Sequence, residues 1–163
     1  MAPRERSPWV SAGALLGFVV LCFAAAALGA LSPPDAWYAG LNKPAWNPPG
    51  WVFGPVWTAL YLAMACAAWR VWRLPQARGP LTLFGVQLAL NAAWSPLFFG
   101  LHAPGLALID ILALLLAVGA TGVCFSRRDR VAGLLFAPYF AWVGFAAVLN
   151  ATLWHLNPAP AGG

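Results

Sequence analysis

Charge is what this chain has least of. Only 8% of its 163 residues are charged and 62% are hydrophobic, whereas about a quarter of a soluble domain is charged. So little charge cannot cover a water-facing surface, and the composition, with a mean hydropathy of +0.75, marks an integral membrane protein. Acids are scarcer still, four against nine basic residues. The resulting net charge of +5 would suggest nucleic acid if the basic residues shared a face. They fall instead in short clusters between apolar runs, which is the pattern of membrane topology, so no nucleic-acid partner is expected. Cysteine is also sparse: Cys22, Cys66 and Cys124 are odd in number and lie inside apolar segments, which leaves no disulfide framework and no metal spacing and makes them packing residues. The chain contains no G-x-x-x-x-G-K-[ST], H-E-x-x-H, G-x-S-x-G or C-x-x-C-H, so nothing points to a nucleotide loop, a zinc protease, a hydrolase or attached haem. No metal is expected; His102 and His155 are haem-ligand candidates by residue type alone.

What the chain does have is long apolar runs. Five of them, at 9–31, 51–72, 80–101, 104–125 and 131–156, are long enough to cross a hydrocarbon core as helices. The first has the basic flank of a signal peptide, but exceeds the usual apolar region of about 7–15 residues and reads as a span. Pro55 falls in the first turn of the second run, where a missing donor is harmless. Pro96 near the end of the third marks a kink or stop, and Pro138 inside the fifth marks a kink. The expected fold is one all-α domain, 1–163, a bundle of five transmembrane helices. With five spans the ends lie on opposite sides. All eight arginines (Arg4, Arg6, Arg70, Arg73, Arg78, Arg127, Arg128, Arg130) fall on the amino-terminal side, and Lys43 alone on the other. The positive-inside rule then puts the amino terminus in the cytoplasm and loop 32–50 and the carboxyl tail outside, for an inner membrane. An outer membrane would be reached by another route.

The stretch from Trp37 to Trp57, WYAGLNKPAWNPPGWVFGPVW, holds the only lysine and Pro44, Pro48 and Pro49. These prolines exclude a spanning helix, yet the stretch is too aromatic for a solvated linker, so it is expected to fold over something as a lid. Polar residues inside the spans are few. Asp110 is the only acid at membrane depth and is costly there, serving either to pair with a neighbouring span or to meet a ligand or proton. Gln87, Asn91 and Ser95 recur every fourth residue on one face of the third span, fit either for interhelical hydrogen bonds or for lining a cavity. Trp57, Tyr61, Ala65 and Trp69 line one face of the second span; Tyr139, Trp142, Ala146 and Asn150 recur in the fifth. Trp51, Trp72 and Trp154 near span ends suit the interface. Gly13-x-x-x-Gly17 and Gly85-x-x-x-Ala89 are small-residue pairs for helix contacts within the bundle or between copies.

These runs, with QLALNAAWSPLFFG, LALID and FAPYFAWVGFAAVLN further on, closely resemble the signature of the translocator protein family, also called tryptophan-rich sensory proteins or peripheral benzodiazepine receptor homologues. The resemblance covers nearly the whole chain. It implies a five-helix bundle, commonly a homodimer in membrane lipid, with a ligand cavity beneath the first loop. It implies porphyrins such as protoporphyrin IX and haem as ligands rather than obligatory cofactors, and also isoquinoline and benzodiazepine drugs. The positions matching family pocket residues are Tyr38, Pro48, Trp57, Asn91, Trp142 and Ala146, joined on the residues' own pattern by Tyr61. Asp110 matches a recurrent acid of unassigned role. The sterol motif of animal members is absent: Ala151 stands where its Tyr would be and His155 where its Arg would be. A bacterial receptor or binding protein for porphyrins is therefore expected, serving tetrapyrrole handling or stress regulation. The alternatives are a porphyrin-degrading enzyme driven by light and oxygen, in which Trp57 and Trp142 are redox partners, and a passive carrier of porphyrin or sterol. No general base or nucleophile constellation supports other catalysis.

Overall fold

A computed structural model describes residues 7–158. Arg4, Arg6 and residues 159–163 of the Pro/Gly-rich tail lie outside the described residues. Within them the chain forms six α-helices and no strand: α1 (Pro8–Ala30), α2 (Ala36–Gly40), α3 (Phe53–Trp72), α4 (Arg78–Ser95), α5 (Pro104–Ser126) and α6 (Arg130–Leu156). A 3₁₀ turn, Gly50–Val52, leads into α3, and a π-helical turn, Pro96–Gly100, continues α4. Five of these segments are long and apolar enough to cross a membrane, as the apolar runs imply.

Local chemistry sets the boundaries. Pro8 and Pro104 open α1 and α5, at a position whose N–H has no intrahelical partner anyway. Asp129 caps α6 by accepting from the Ala132 N–H at 3.0 Å. Pro96 cannot donate to the Ala92 carbonyl, and the turn that begins with it is wide, the Leu101 N–H reaching back to the Pro96 carbonyl at 2.9 Å. Pro138 sits within α6 on its exposed side. The stretch 32–50, expected as loop throughout, contains the short helix α2. Asp35 accounts for it, accepting from the Tyr38 N–H at 3.1 Å. At the other end of α2, the Lys43 ammonium donates to the carbonyls of Tyr38, Ala39 and Leu41 at 2.6, 3.2 and 3.3 Å.

The bundle packs tightest at the end where α3 passes to α4 and α5 to α6. Ala65, Ala67, Ala68 and Val71 of α3 are fully buried there. Phe125 meets Phe136 edge-on at 5.3 Å and stacks on Phe84 at 6.3 Å. Gly133 allows α6 to turn back on α5: a β-carbon at Gly133 would lie 2.6 Å from the Cα of Ser126. Arg70 forks onto Asp129 with Nε to Oδ2 at 2.9 Å and Nη2 to Oδ1 at 3.2 Å, and Arg128 donates to the Pro75 carbonyl at 3.1 Å. Burial pushes the Asp129 carboxyl up, but the bonds from Ala132 and Arg70 outweigh it and hold the group below its ordinary value. Arg70, Arg73, Arg78, Arg127, Arg128 and Arg130 all gather at this end.

At the opposite end the ties are exposed. His102 Nε2 lies 2.9 Å from Asp35 Oδ2, and the Trp37 ring stacks on His102 at 4.4 Å. The hydrogen bond from Tyr38, with His102 beside it, lowers the Asp35 carboxyl from its ordinary value. Asn157 and Asn42 exchange two bonds: the Asn42 N–H donates to Asn157 Oδ1 at 2.8 Å, and Asn157 Nδ2 to the Asn42 carbonyl at 3.0 Å. Outside the bundle, Trp51 is 76% exposed and Trp154 49%, while Trp72 is half-buried. A β-carbon at Gly13, Gly17 or Gly85 would meet nothing, so neither small-residue pair serves as a contact within the bundle. Cys22 is fully buried and Cys66 and Cys124 are half-buried, all three as free thiols.

Candidate functional site

At the loop end the helices stand apart around a cavity of about 860 Å³, within the roughly 300–1,000 Å³ of small-molecule sites. Its deepest wall rests on a polar thread. The Tyr61 hydroxyl donates to Asn91 Oδ1 at 2.6 Å, Asn91 Nδ2 donates to the Tyr139 hydroxyl at 3.1 Å, and Tyr139 donates to Gln87 Oε1 at 3.0 Å. Gln87 Nε2 ends the thread at Met64 Sδ, 3.8 Å away. The thread joins α3, α4 and α6, and each such bond inside a membrane contributes on the order of 0.6 kcal/mol. It also separates the two readings of the α4 stripe. Gln87 is spent on structure, Asn91 belongs to both thread and wall, and Ser95 lines the cavity.

Aromatic rings form most of the wall. Trp57 stacks on Tyr61 at 5.5 Å and meets Tyr139 edge-on at 6.2 Å. Trp94 stacks on Phe98 at 5.0 Å and donates from Nε1 to Asn150 Oδ1 at 3.0 Å; Asn150 in turn donates to the Pro104 carbonyl at 2.8 Å. Trp142 packs against Phe53 at 5.8 Å and Phe145 at 5.5 Å. The roof comes from stretch 32–50: Tyr38, held edge-on to Phe99 at 5.2 Å, with Lys43, Asn47 and Pro48.

Seven of the eight sequence-derived candidates meet here: Tyr38, Pro48, Trp57, Tyr61, Asn91, Trp142 and Ala146. Asp110 does not. The α5 part of the wall is Ile111 and Leu114, and Asp110 lies about 100° round the helix from Ile111. Nor does it pair with a neighbouring span: its buried Oδ2 has no partner among the described residues. Tyr139 and Gln87 support the wall without facing the cavity, and His102 and His155 lie outside it. No cluster of three or more potential metal ligands occurs among the described residues.

Trp94, Asn47 and Lys43 escaped the sequence reading. Trp94 lies three residues past Asn91, beside the polar stripe, and that spacing was the available signal. Two buried polar atoms of the wall lack partners among the described residues: the indole Nε1 of Trp142, a donor, and Oδ1 of Asn47, an acceptor. The aromatic wall, with Asn91 and Ser95 among its few polar groups, suits a flat, mostly apolar molecule.

The family described as TspO/MBR matches residues 18–155. The tryptophan-rich sensory protein of Cereibacter sphaeroides is 44% identical over 142 residues, 87% of this chain and 90% of that protein. Protein CrtK of Rhodobacter capsulatus is 41% identical over 145 residues, covering 86% and 91%. The human translocator protein is 45% identical over 132 residues, 78% of each chain.

Proposed function

Since the chain belongs to the TspO/MBR family and is a multi-pass integral membrane protein, we propose that it is a receptor for porphyrins, protoporphyrin IX and haem foremost. The carrying observation is the 860 Å³ cavity with Trp57, Tyr61, Trp94 and Trp142 in its wall. Flat rings offer wide contact to a flat macrocycle, and such stacking is worth about 0.5–1.5 kcal/mol per ring pair beyond burial. The polar groups of the lining, Ser95 and Lys43 among them, would meet a propionate or carbonyl of the guest. Stretch 32–50 serves as the lid, since Tyr38, Asn47 and Pro48 close the roof. The arginine end faces the cytoplasm and the lid faces outward, a reading supported by the gathering of six arginines at one end of the helices. Isoquinoline and benzodiazepine drugs, also flat and carrying a carbonyl, would occupy the same space. The proposed assembly is a homodimer.

Titration of the purified protein with protoporphyrin IX, haem and cholesterol side by side tests this. Tryptophan fluorescence should be quenched to saturation by the porphyrins; a linear, unsaturating loss overturns the reading. One contact favours the photo-oxidative alternative: Trp57 stacked on Tyr61 and edge-on to Tyr139 gives an excited porphyrin a neighbouring chain of oxidisable rings. In that case light and oxygen should yield a new absorbing product in the wild type and none in the Trp57→Phe, Trp142→Phe double variant.

A further inference from the structure

Behind Trp142 lies a second, shallower depression. It is a groove on the outer face of the bundle along the seam of α3 and α6, made by Val56, Ala59 and Leu60 on one side and Pro138, Ala141 and Phe145 on the other. Ala59, Pro138 and Ala141 are exposed, and their small size leaves the seam shallow to the outside. Among the described residues, Trp142 alone lines both this groove and the cavity. Its indole is the partition between them, with Phe53 on the cavity side and Phe145 on the groove side.

Trp142 is also held differently from two other half-buried tryptophans. The Trp94 indole is tethered to Asn150, and the Trp69 indole to the carbonyl of Ser11 at 2.9 Å. Trp142 Nε1 is buried with no partner, so turning its ring breaks no hydrogen bond. One turn earlier in α6, Pro138 cannot donate to the Leu134 carbonyl, and the helix lacks one rung beside the partition.

We propose that the α3–α6 seam is a lateral entry from the bilayer and that Trp142 is its gate. The traveller is a flat, apolar molecule dissolved among the acyl chains; that it is a porphyrin rests on the function proposed above. Physical chemistry favours this route over the loop end. A molecule entering through the lid must first leave lipid for water, losing its apolar transfer free energy. One sliding along the seam stays in an apolar medium throughout, and the ring it displaces is one without a polar tether.

The test is kinetic. The protein is reconstituted in lipid vesicles, protoporphyrin IX is mixed in with the lipid in large excess so that it partitions into the same bilayers, and quenching is followed by stopped flow, with a neutral polyaromatic dye run in parallel. Ala141→Phe fills the groove from outside and replaces no cavity-lining residue; Ala59→Leu does so from the facing helix, in case the larger ring disturbs folding. Both should slow association and dissociation together, by about tenfold for a barrier raised by ~1.4 kcal/mol, with the Kd unchanged. Asp35→Asn, at the lid, should leave both rates as they are. Unchanged rates in the groove variants, or faster rates in Asp35→Asn alone, overturn the portal. A changed oligomeric state without a rate effect also overturns it and makes the seam a subunit interface. Should protoporphyrin fail to bind the wild type while the dye binds, the porphyrin reading fails and the dye still reports the route.

Discussion

The helices that close around Phe84, Phe125 and Phe136 at the arginine end stand apart around Trp57, Trp94 and Trp142 at the other. One set of spans thus builds both a filled core and a hollow one. Side-chain size decides the difference along α3. Its second half offers Ala65, Ala67, Ala68 and Val71, all fully buried, and small residues let neighbouring backbones approach. Its first half offers Phe53, Trp57 and Tyr61, whose rings hold the neighbours away. The ties differ in the same sense. The closed end is stitched by a forked arginine–carboxylate pair and a helix cap on one aspartate, whereas the open end is joined by half-exposed contacts between Asp35 and His102. The arginine end is the filled one, and the cavity lies at the other.

Substitutions can break this division. The largest effect on stability is expected at Gly133, because a methyl there runs into the Ser126 backbone rather than into a yielding side-chain tip. Gly133→Ala should destabilise by about 1–3 kcal/mol, read by thermal unfolding in detergent, and should leave porphyrin affinity in the surviving folded fraction unchanged. A stability equal to wild type would show that the closed end is not tightly fitted. Trp57→Ala makes the converse case: affinity for protoporphyrin in the folded fraction should fall about tenfold for a loss of ~1.4 kcal/mol, because a ring that borders the cavity is gone along with its stacking on Tyr61. Third is Asp129→Ala, which removes a cap and an ion pair together and should cost about 1 kcal/mol. The Asp129 carboxyl is lowered in the fold, so its contribution is present above its ordinary unfolded value and is lost as pH falls through the depressed one. The gap between wild type and variant should therefore be full at neutral pH and close below about pH 4. The smallest effect belongs to Asp35→Asn. Melting should not move, but amide exchange across α2 should quicken at neutral pH and match wild type once acid protonates Asp35. Equal protection of α2 in both proteins at neutral pH would mean that the charge on Asp35 does not order α2.

The five spans were legible because a membrane helix must be long, apolar and free of interior charge, and Pro8, Pro96 and Pro104 mark boundaries in residue type alone. The cavity was half legible. Trp57, Tyr61, Asn91, Trp142 and Ala146 recur at helical spacing, and spacing reports a shared face. It does not say what that face meets, which is why Gln87 and Asn91, one turn apart, divide between thread and wall. Asp110 misled because rarity at membrane depth marks a residue as costly without fixing its direction. Helix α2 was missed although Asp35 stands three residues before Tyr38, the spacing of a cap, because prolines on both sides drew attention to extended chain.

The ammonium of Lys43 is spent on three carbonyls at the end of α2 and lies 4.6 Å from the Tyr38 ring. It is the only side-chain amine in the chain. Acylating it would strip α2 of its C-terminal cap at a single known point, and the rate of acylation would report how often the end of α2 lets that amine go.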